Sequence, residues 1–413
     1  VRWRASTFQN GLRAITIHRP GTPTVAARVY VRAGSRYDGP QAGLAHCLEH
    51  MLFRGTTTRS PRQLYAAVEG RGGEINGTTT REYASLRTVT LARDLPLALE
   101  LLADVVVRPA LAEDAFLSEK LVVLQEIRRA RDQMGVLYDL FVQALWRRKR
   151  LRNPVLGTLE SLRDLDLVSV RAFHSRRYVT GNALLVICGN VDHEAALSMA
   201  QVAFGEMSRG PEQPPGPGEE SVWDGCRLTH LEKDIHHTYV LMGVPTVGMK
   251  HPDRSALKAI ELALGMGGSG RLYQRLREER GLVYSVNTVT ANYEDAGFLA
   301  VRAACAPENL EAIREAVLTE WDAVRRDGLD EGELEAVKGN YAGTLARRFE
   351  TNAAVAGIFG IEGLLHQVEP FEEAVARIEA VTRAQVLDAA QRYLSCERYA
   401  VATVGRDGVS GVD

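Results

Sequence analysis

Apolar and polar residues alternate along TVAARVYVRAG (24–34), the two-residue period of a strand with one face buried. LPLALELLADVVV (95–107) repeats its apolar positions every three to four residues, which predicts a helix packed on a core. AEDAFLSEKLVVLQEIRRARD (112–132) reads as a longer amphipathic helix, and AGLAHCLEHMLFRGT (42–56) as an apolar helical stretch. GGEINGTTTREYASL (72–86) has strand character after a glycine turn. Strands cluster first and helices follow. The pattern therefore predicts an α+β fold, with mostly antiparallel sheets and helices packed on them, rather than a doubly wound parallel sheet.

The same order occurs twice. DLVSVRAFHSRRYVTGNALLVICGNV (166–191) and VTRAQVLDAAQRYLSCERYAVATVGR (381–406) each read as an amphipathic helix ending in Arg-Tyr, a short turn, and an apolar strand closing in glycine. Tyr178 corresponds to Tyr393, and Leu64-Tyr65 to Leu272-Tyr273. Between the copies lies RGPEQPPGPGEE (209–220), with four prolines, three glycines and no apolar side chain, the composition of an extended linker. The expected organisation is a first domain at 1–208, a linker at 209–222 and a homologous domain at 223–413, the two facing each other across a cleft.

Composition narrows the function. Fifty basic residues against 52 acidic ones leave a formal charge of -2, with no electrostatic case for nucleic acid or an anionic membrane as partner. No run of 18 apolar residues is present to span a bilayer. The opening VRWRASTFQNGLRAITIHRP lacks the apolar core and cleavage site of a secretory signal. Five scattered cysteines suggest free thiols in a reducing compartment, so a cytoplasmic location is expected.

The chemistry concentrates at His46-Cys-Leu-Glu49-His50. Histidines four apart on a helix project from one face and can share a metal ion, with Glu49 beside them. A pair of core histidines next to an incidental carboxylate is the plainer alternative. A catalytic zinc needs a third protein ligand and an open position for water. Glu119 and Glu126 are both candidates, seven residues apart on one helical stripe. Glu126 interrupts the apolar run LVVLQEI, where an uncompensated carboxylate is costly.

The motif, its 76-residue spacing to Glu126, Glu119 seven before it, and the flanks NGLRAITIH, VRAGSRYDGP, HMLFRGT and GGEINGTTTREY resemble the pitrilysin (insulinase) family of zinc metallopeptidases over essentially the whole chain. That resemblance implies one zinc per chain held by His46, His50 and Glu126, Glu49 as general base, and Glu119 as an outer carboxylate orienting a ligand. It also implies an exposed edge strand to which substrate adds, with Asn76 close to the scissile bond. In the second half it implies Arg277 holding a peptide carbonyl and Tyr284 donating to the oxyanion. The glycine-rich run holding Gly265, Gly267, Gly268 and Gly270 could suggest a phosphate cradle, but no Gly-Lys-Ser/Thr follows, and it reads as a flexible loop lining the cleft. Cys47 departs from the bulkier apolar residue more usual there and reads as a buried small side chain.

The function expected from the resemblance is endopeptidase cleavage of short or unfolded peptides through a zinc-activated water. Two other readings remain, a non-catalytic accessory homologue and one half of a heterodimer. The presence of both residue sets in one chain favours a self-sufficient protein, expected as a homodimer.

Overall fold

The computed structural model describes residues 2–129, 133–147, 150–216 and 225–406. The linker expectation therefore lies outside the described residues from position 217 onward. Two compact units emerge.

The first unit is built on a six-stranded sheet: β1 (Arg2–Thr7), β2 (Arg13–His18), β3 (Thr24–Val31), β4 (Glu74–Thr79), β5 (Ala84–Leu91) and β6 (Ala183–Gly189). Their spatial order is β1-β2-β6-β3-β5-β4, so β4 is an edge strand. Only β2 and β6 run parallel; every other pair is antiparallel. The strand-like run at 72–86 resolves into two strands joined at 80–83. There the Thr80 hydroxyl accepts from the backbone N–H groups of Glu82 and Tyr83 and closes a tight turn.

The second unit carries β7 (Arg227–Glu232), β8 (Thr238–Thr246), β9 (Val283–Asn292), β10 (Gly297–Cys305) and β11 (Ala400–Gly405), ordered β7-β11-β8-β10-β9. Its single parallel pair is β7 with β11. Without β1, the first sheet has the same strand order and the same single parallel pair. The duplication read from the Arg-Tyr repeats is thus a duplication of topology. The helices Leu167–Arg177 and Arg383–Tyr393 stand immediately before β6 and β11.

Helices α1 (Leu44–Leu52), α2 (Pro61–Glu69), α3 (Leu95–Val107) and α4 (Glu113–Arg129) belong to the first unit. The next helix, α5 (Gln133–Leu145), does not. It packs on the second sheet, where Phe141 meets Phe298 edge-on at 5.1 Å and Leu137, Val142 and Leu145 cluster with Leu241, Ala400 and Val404. Reciprocally, the helix Asn352–Leu365 belongs to the first unit and packs on β3 and β6. The Tyr30 hydroxyl donates to Gly357 O at 3.1 Å, and the ring lies so close to Gly360 that a Cβ there would stand 1.9 Å from it. The linear division at the linker marks the sequence repeat, whereas in space each half lends one helix to the other. The reason is that an apolar helix face is satisfied by any complementary sheet, whatever its distance along the chain. Among the described residues no helix is long and apolar enough to cross a membrane.

Candidate metal centre

Helix α1 is fixed by its apolar residues. Leu44, Ala45, Cys47, Leu48, Met51 and Leu52 are all buried in the first unit's core. Its first turn is capped from outside. The backbone N–H groups of Gly43 and Ala45 donate to the buried Asp38 carboxylate at 2.8 and 2.9 Å. Gly43 enters the helix at φ +91°, a conformation that favours glycine. With the helix so seated, His46 and His50 project together, their ring centroids 4.6 Å apart.

Helix α4 supplies both carboxylates, with different roles. Glu126 Oε2 lies 3.5 Å from His50 Nε2 and 3.7 Å from His46 Nε2, and one ligand atom from each of the three residues falls within 4.8 Å of the others. Zinc bonds of about 2.0–2.1 Å place neighbouring tetrahedral ligands roughly 3.3–3.5 Å apart, so this donor set suits the ion. Burial, with the nearby His50, depresses the His46 pKa to about 3, leaving a neutral imidazole with a lone pair to give. Glu119 Oε2 sits 3.0 Å from His50 Nδ1, the geometry that holds the proton on Nδ1 and turns the Nε2 lone pair inward. Its other oxygen meets Arg54. The burial argument made for Glu126 belongs to its neighbour: the Glu119 side chain is 2% exposed and that of Glu126 39%.

Glu49 lies between the histidines and turns toward β4, where the Thr79 hydroxyl donates to its Oε2 at 2.9 Å. Burial raises its pKa above the ordinary carboxyl range; the Thr79 bond and His50 oppose the shift, and Glu126 adds to it. Such a group is suited to passing a proton in both directions. Asn76 is exposed on the same edge strand, with its Oδ1 accepting from Gly77 N. Cys47 is fully buried in the core on another face of α1 from the histidine pair, as a small apolar side chain would be.

In the second unit, helix Arg254–Gly265 occupies the place of α1 in the repeat and carries no histidine. Gly267 and Gly268 follow it in an exposed turn, where Gln274 Nε2 donates to Gly268 O at 2.5 Å. Arg277 and Tyr284 come together: the guanidinium donates to Tyr284 O at 2.9 Å, and both side chains face solvent. Arg277 sits within a π-helical turn, Gln274–Glu278, and the Tyr284 ring packs against His237 at 4.5 Å.

Sequence and fold both match known proteins. The sequence model described as Insulinase (Peptidase family M16) matches residues 13–159, and the one described as Peptidase M16 inactive domain matches 164–341. The chain is 35% identical over 410 residues to a protein of Mycobacterium tuberculosis named as an uncharacterized zinc protease, covering 98% of this chain and 93% of that one. The chain belongs to the insulinase family, peptidase family M16. Another member named as a zinc protease, YmxG of Bacillus subtilis, is 29% identical over 97% of this chain and 98% of its own. The family fold also appears in a crystal structure of a protease from Helicobacter pylori, with a TM-score of 0.92 at 22% identity over 98% of this chain and 99% of that one. A Pseudomonas fluorescens structure titled peptidase M16 inactive domain gives 0.89 at 20% identity, over 98% of both chains. Both the Mycobacterium tuberculosis and the Bacillus subtilis relatives carry zinc in their names, and the two imidazoles and one carboxylate assembled here form a donor set able to hold a metal ion.

Sequence reasoning missed Asp38, Arg54 and Thr79. Arg54 lies in the turn just past α1, which ends at Leu52, so helical spacing from His50 did not point to it. Asp38 resembles any loop aspartate, and Thr79 any strand threonine.

Proposed function

We propose that this insulinase-family member is a zinc endopeptidase that hydrolyses bonds within short or unfolded peptides. The convergence of His46 Nε2, His50 Nε2 and Glu126 Oε2 beside a carboxyl of raised pKa carries the reading. Zinc, when bound, supplies the Lewis acidity that brings a water's pKa to about 7 and polarises the scissile carbonyl. Glu49 takes the proton of the attacking water and hands it to the departing amine nitrogen. Glu119 keeps His50 in the ligating tautomer. The peptide adds as a strand along the free edge of β4, near Asn76, so that main-chain pairing gives affinity with little demand on side chains. Arg277 anchors a peptide carbonyl, Tyr284 donates to the oxyanion, and the Gly267–Gly268 turn borders the substrate. Because one chain carries both residue sets, it needs no second type of subunit, and a homodimer is the proposed assembly.

An accessory, non-catalytic role is the competing reading, prompted by the inactive-domain description that covers the second half. The complete ligand set in the first half argues against it. The test is a peptide library digested with and without chelator. Glu49→Gln should keep one zinc per chain and lose about 10²–10⁴-fold in rate. His50→Ala and Glu126→Ala should lose zinc while remaining folded. Zinc-loaded wild-type protein that cleaves nothing would establish the accessory role.

A further inference from the structure

The general base is held by the strand proposed to receive the substrate. Residues 77 and 79 lie on one face of β4, two apart, and both touch Glu49. The Thr79 hydroxyl donates to Glu49 Oε2 at 2.9 Å. A Cβ at Gly77 would stand 2.5 Å from Oε1 and 2.9 Å from both Cδ and Cγ, so the bare backbone there is a seat for the carboxylate. On the helix side Leu48 and Met51 are fully buried, which leaves rotation of its own side chain as the main freedom Glu49 has. The strand face therefore selects its rotamer.

The strand itself is held on one side only. Gly77 pairs with Leu86 and Thr79 with Ala84 across to β5, while among the described residues the opposite edge of β4 has no strand partner. Thr79 is its last residue, just before the turn at 80–83. An edge strand end is among the least constrained parts of a sheet, and a second strand pairing along it restrains it.

We infer that Thr79 is a positioning residue for Glu49, and that a peptide pairing along β4 tightens the base through it, so that longer peptides turn over faster as well as binding more tightly. This rests on the peptidase reading above. Binding energy from peptide residues remote from the scissile bond would thus be spent on orienting the proton acceptor.

The experiment uses full-length, zinc-loaded protein and a nested series of peptides sharing one scissile bond. In the wild type, kcat should rise about tenfold from the shortest to the longest peptide. Thr79→Val, which exchanges the hydroxyl for a methyl group, should lower kcat on the longest peptide by about tenfold and flatten the series, with KM moving less than about twofold. Thr79→Ser, which keeps the hydroxyl, should restore the length dependence. Gly77→Ala should lower kcat by displacing the carboxylate from the other side. All three should hold one zinc per chain. In the Glu49→Gln background Thr79→Val should have no further effect.

A readout independent of turnover is the affinity of zinc-free protein for the longest peptide, measured by calorimetry, which Thr79→Val should leave within about twofold. Wild-type kinetics in Thr79→Val, or loss of peptide affinity matching the loss of rate, would overturn the positioning role. Zinc-loaded wild-type protein without any cleavage would instead overturn the peptidase reading and take this inference with it.

Discussion

Glu119→Gln isolates the carboxylate behind the metal site. The wild-type side chain is 2% exposed and faces two donors, His50 Nδ1 at 3.0 Å and Arg54 on its other oxygen. Two oxygens satisfy both; an amide cannot. With its oxygen toward His50, the amide nitrogen faces a guanidinium, donor against donor. Turned round, the NH₂ group donates to His50 Nδ1, drives the ring proton to Nε2 and blocks the ligating lone pair. Either way the charge-assisted bond from His50 Nδ1 is lost or weakened to a neutral one, a cost of up to about 1.5–3 kcal/mol, or roughly 10- to 150-fold in an equilibrium constant. His50 retains 17% exposure, so water recovers part of this, and a 10- to 50-fold loss of zinc affinity is expected, roughly the range found for outer-shell partners. Arg54→Met should cost less, roughly two- to fivefold, because Arg54 is 46% exposed and its pairing is screened. Competition against a chromophoric chelator at neutral pH measures both. Zinc binding by Glu119→Gln within twofold of wild type would show that the hydrogen bond to His50 does not control ligation.

Tyr284→Phe should lower kcat by roughly 10²–10³-fold with zinc content unchanged, and Arg277→Ala should chiefly raise KM; normal kinetics in both would leave that cluster a packing role. Gly360→Ala should destabilise the first unit by about 1–3 kcal/mol in urea denaturation, since a Cβ there would stand 1.9 Å from the Tyr30 ring; unchanged unfolding would mean the helix shifts freely. Burial raises the Cys47 thiol pKa to about 12, so at pH 8 it is protonated as well as enclosed. Alkylation of native protein should modify the partly exposed Cys226 and Cys396 first, and stoichiometric labelling of Cys47, read by peptide mapping, would contradict that packing.

The histidine pair was legible because a four-residue spacing on an apolar helix admits little besides core packing or a shared ligand. The duplicated fold was legible because helix, turn and strand recur in one order around Tyr178 and Tyr393. Three features left no mark in the periodicity of the chain, although the family resemblance assigned the third. Thr79 acts on Glu49 from 30 residues away, and strand threonines are ordinary. The π-helical turn at Gln274–Glu278 depends on a hydrogen-bond offset that apolar periodicity does not encode. Glu119 and Glu126 share one stripe of α4, and only the packing against α1 decides which touches Nδ1 and which Nε2.

The exchange of α5 and the helix Asn352–Leu365 bears on how the chain can be cut. A protease acting at 209–216 would sever the covalent link, yet each product would still have a helix bedded in the other's sheet, so the nicked protein should migrate as one particle until denatured. The fragment 1–208 made alone would leave Tyr30 and its neighbours on β3 and β6 uncovered and would tend to aggregate. The arrangement is that of a domain swap contained within one chain. A piece that keeps both helices covered must therefore span both halves, although the repeat within it is half as long.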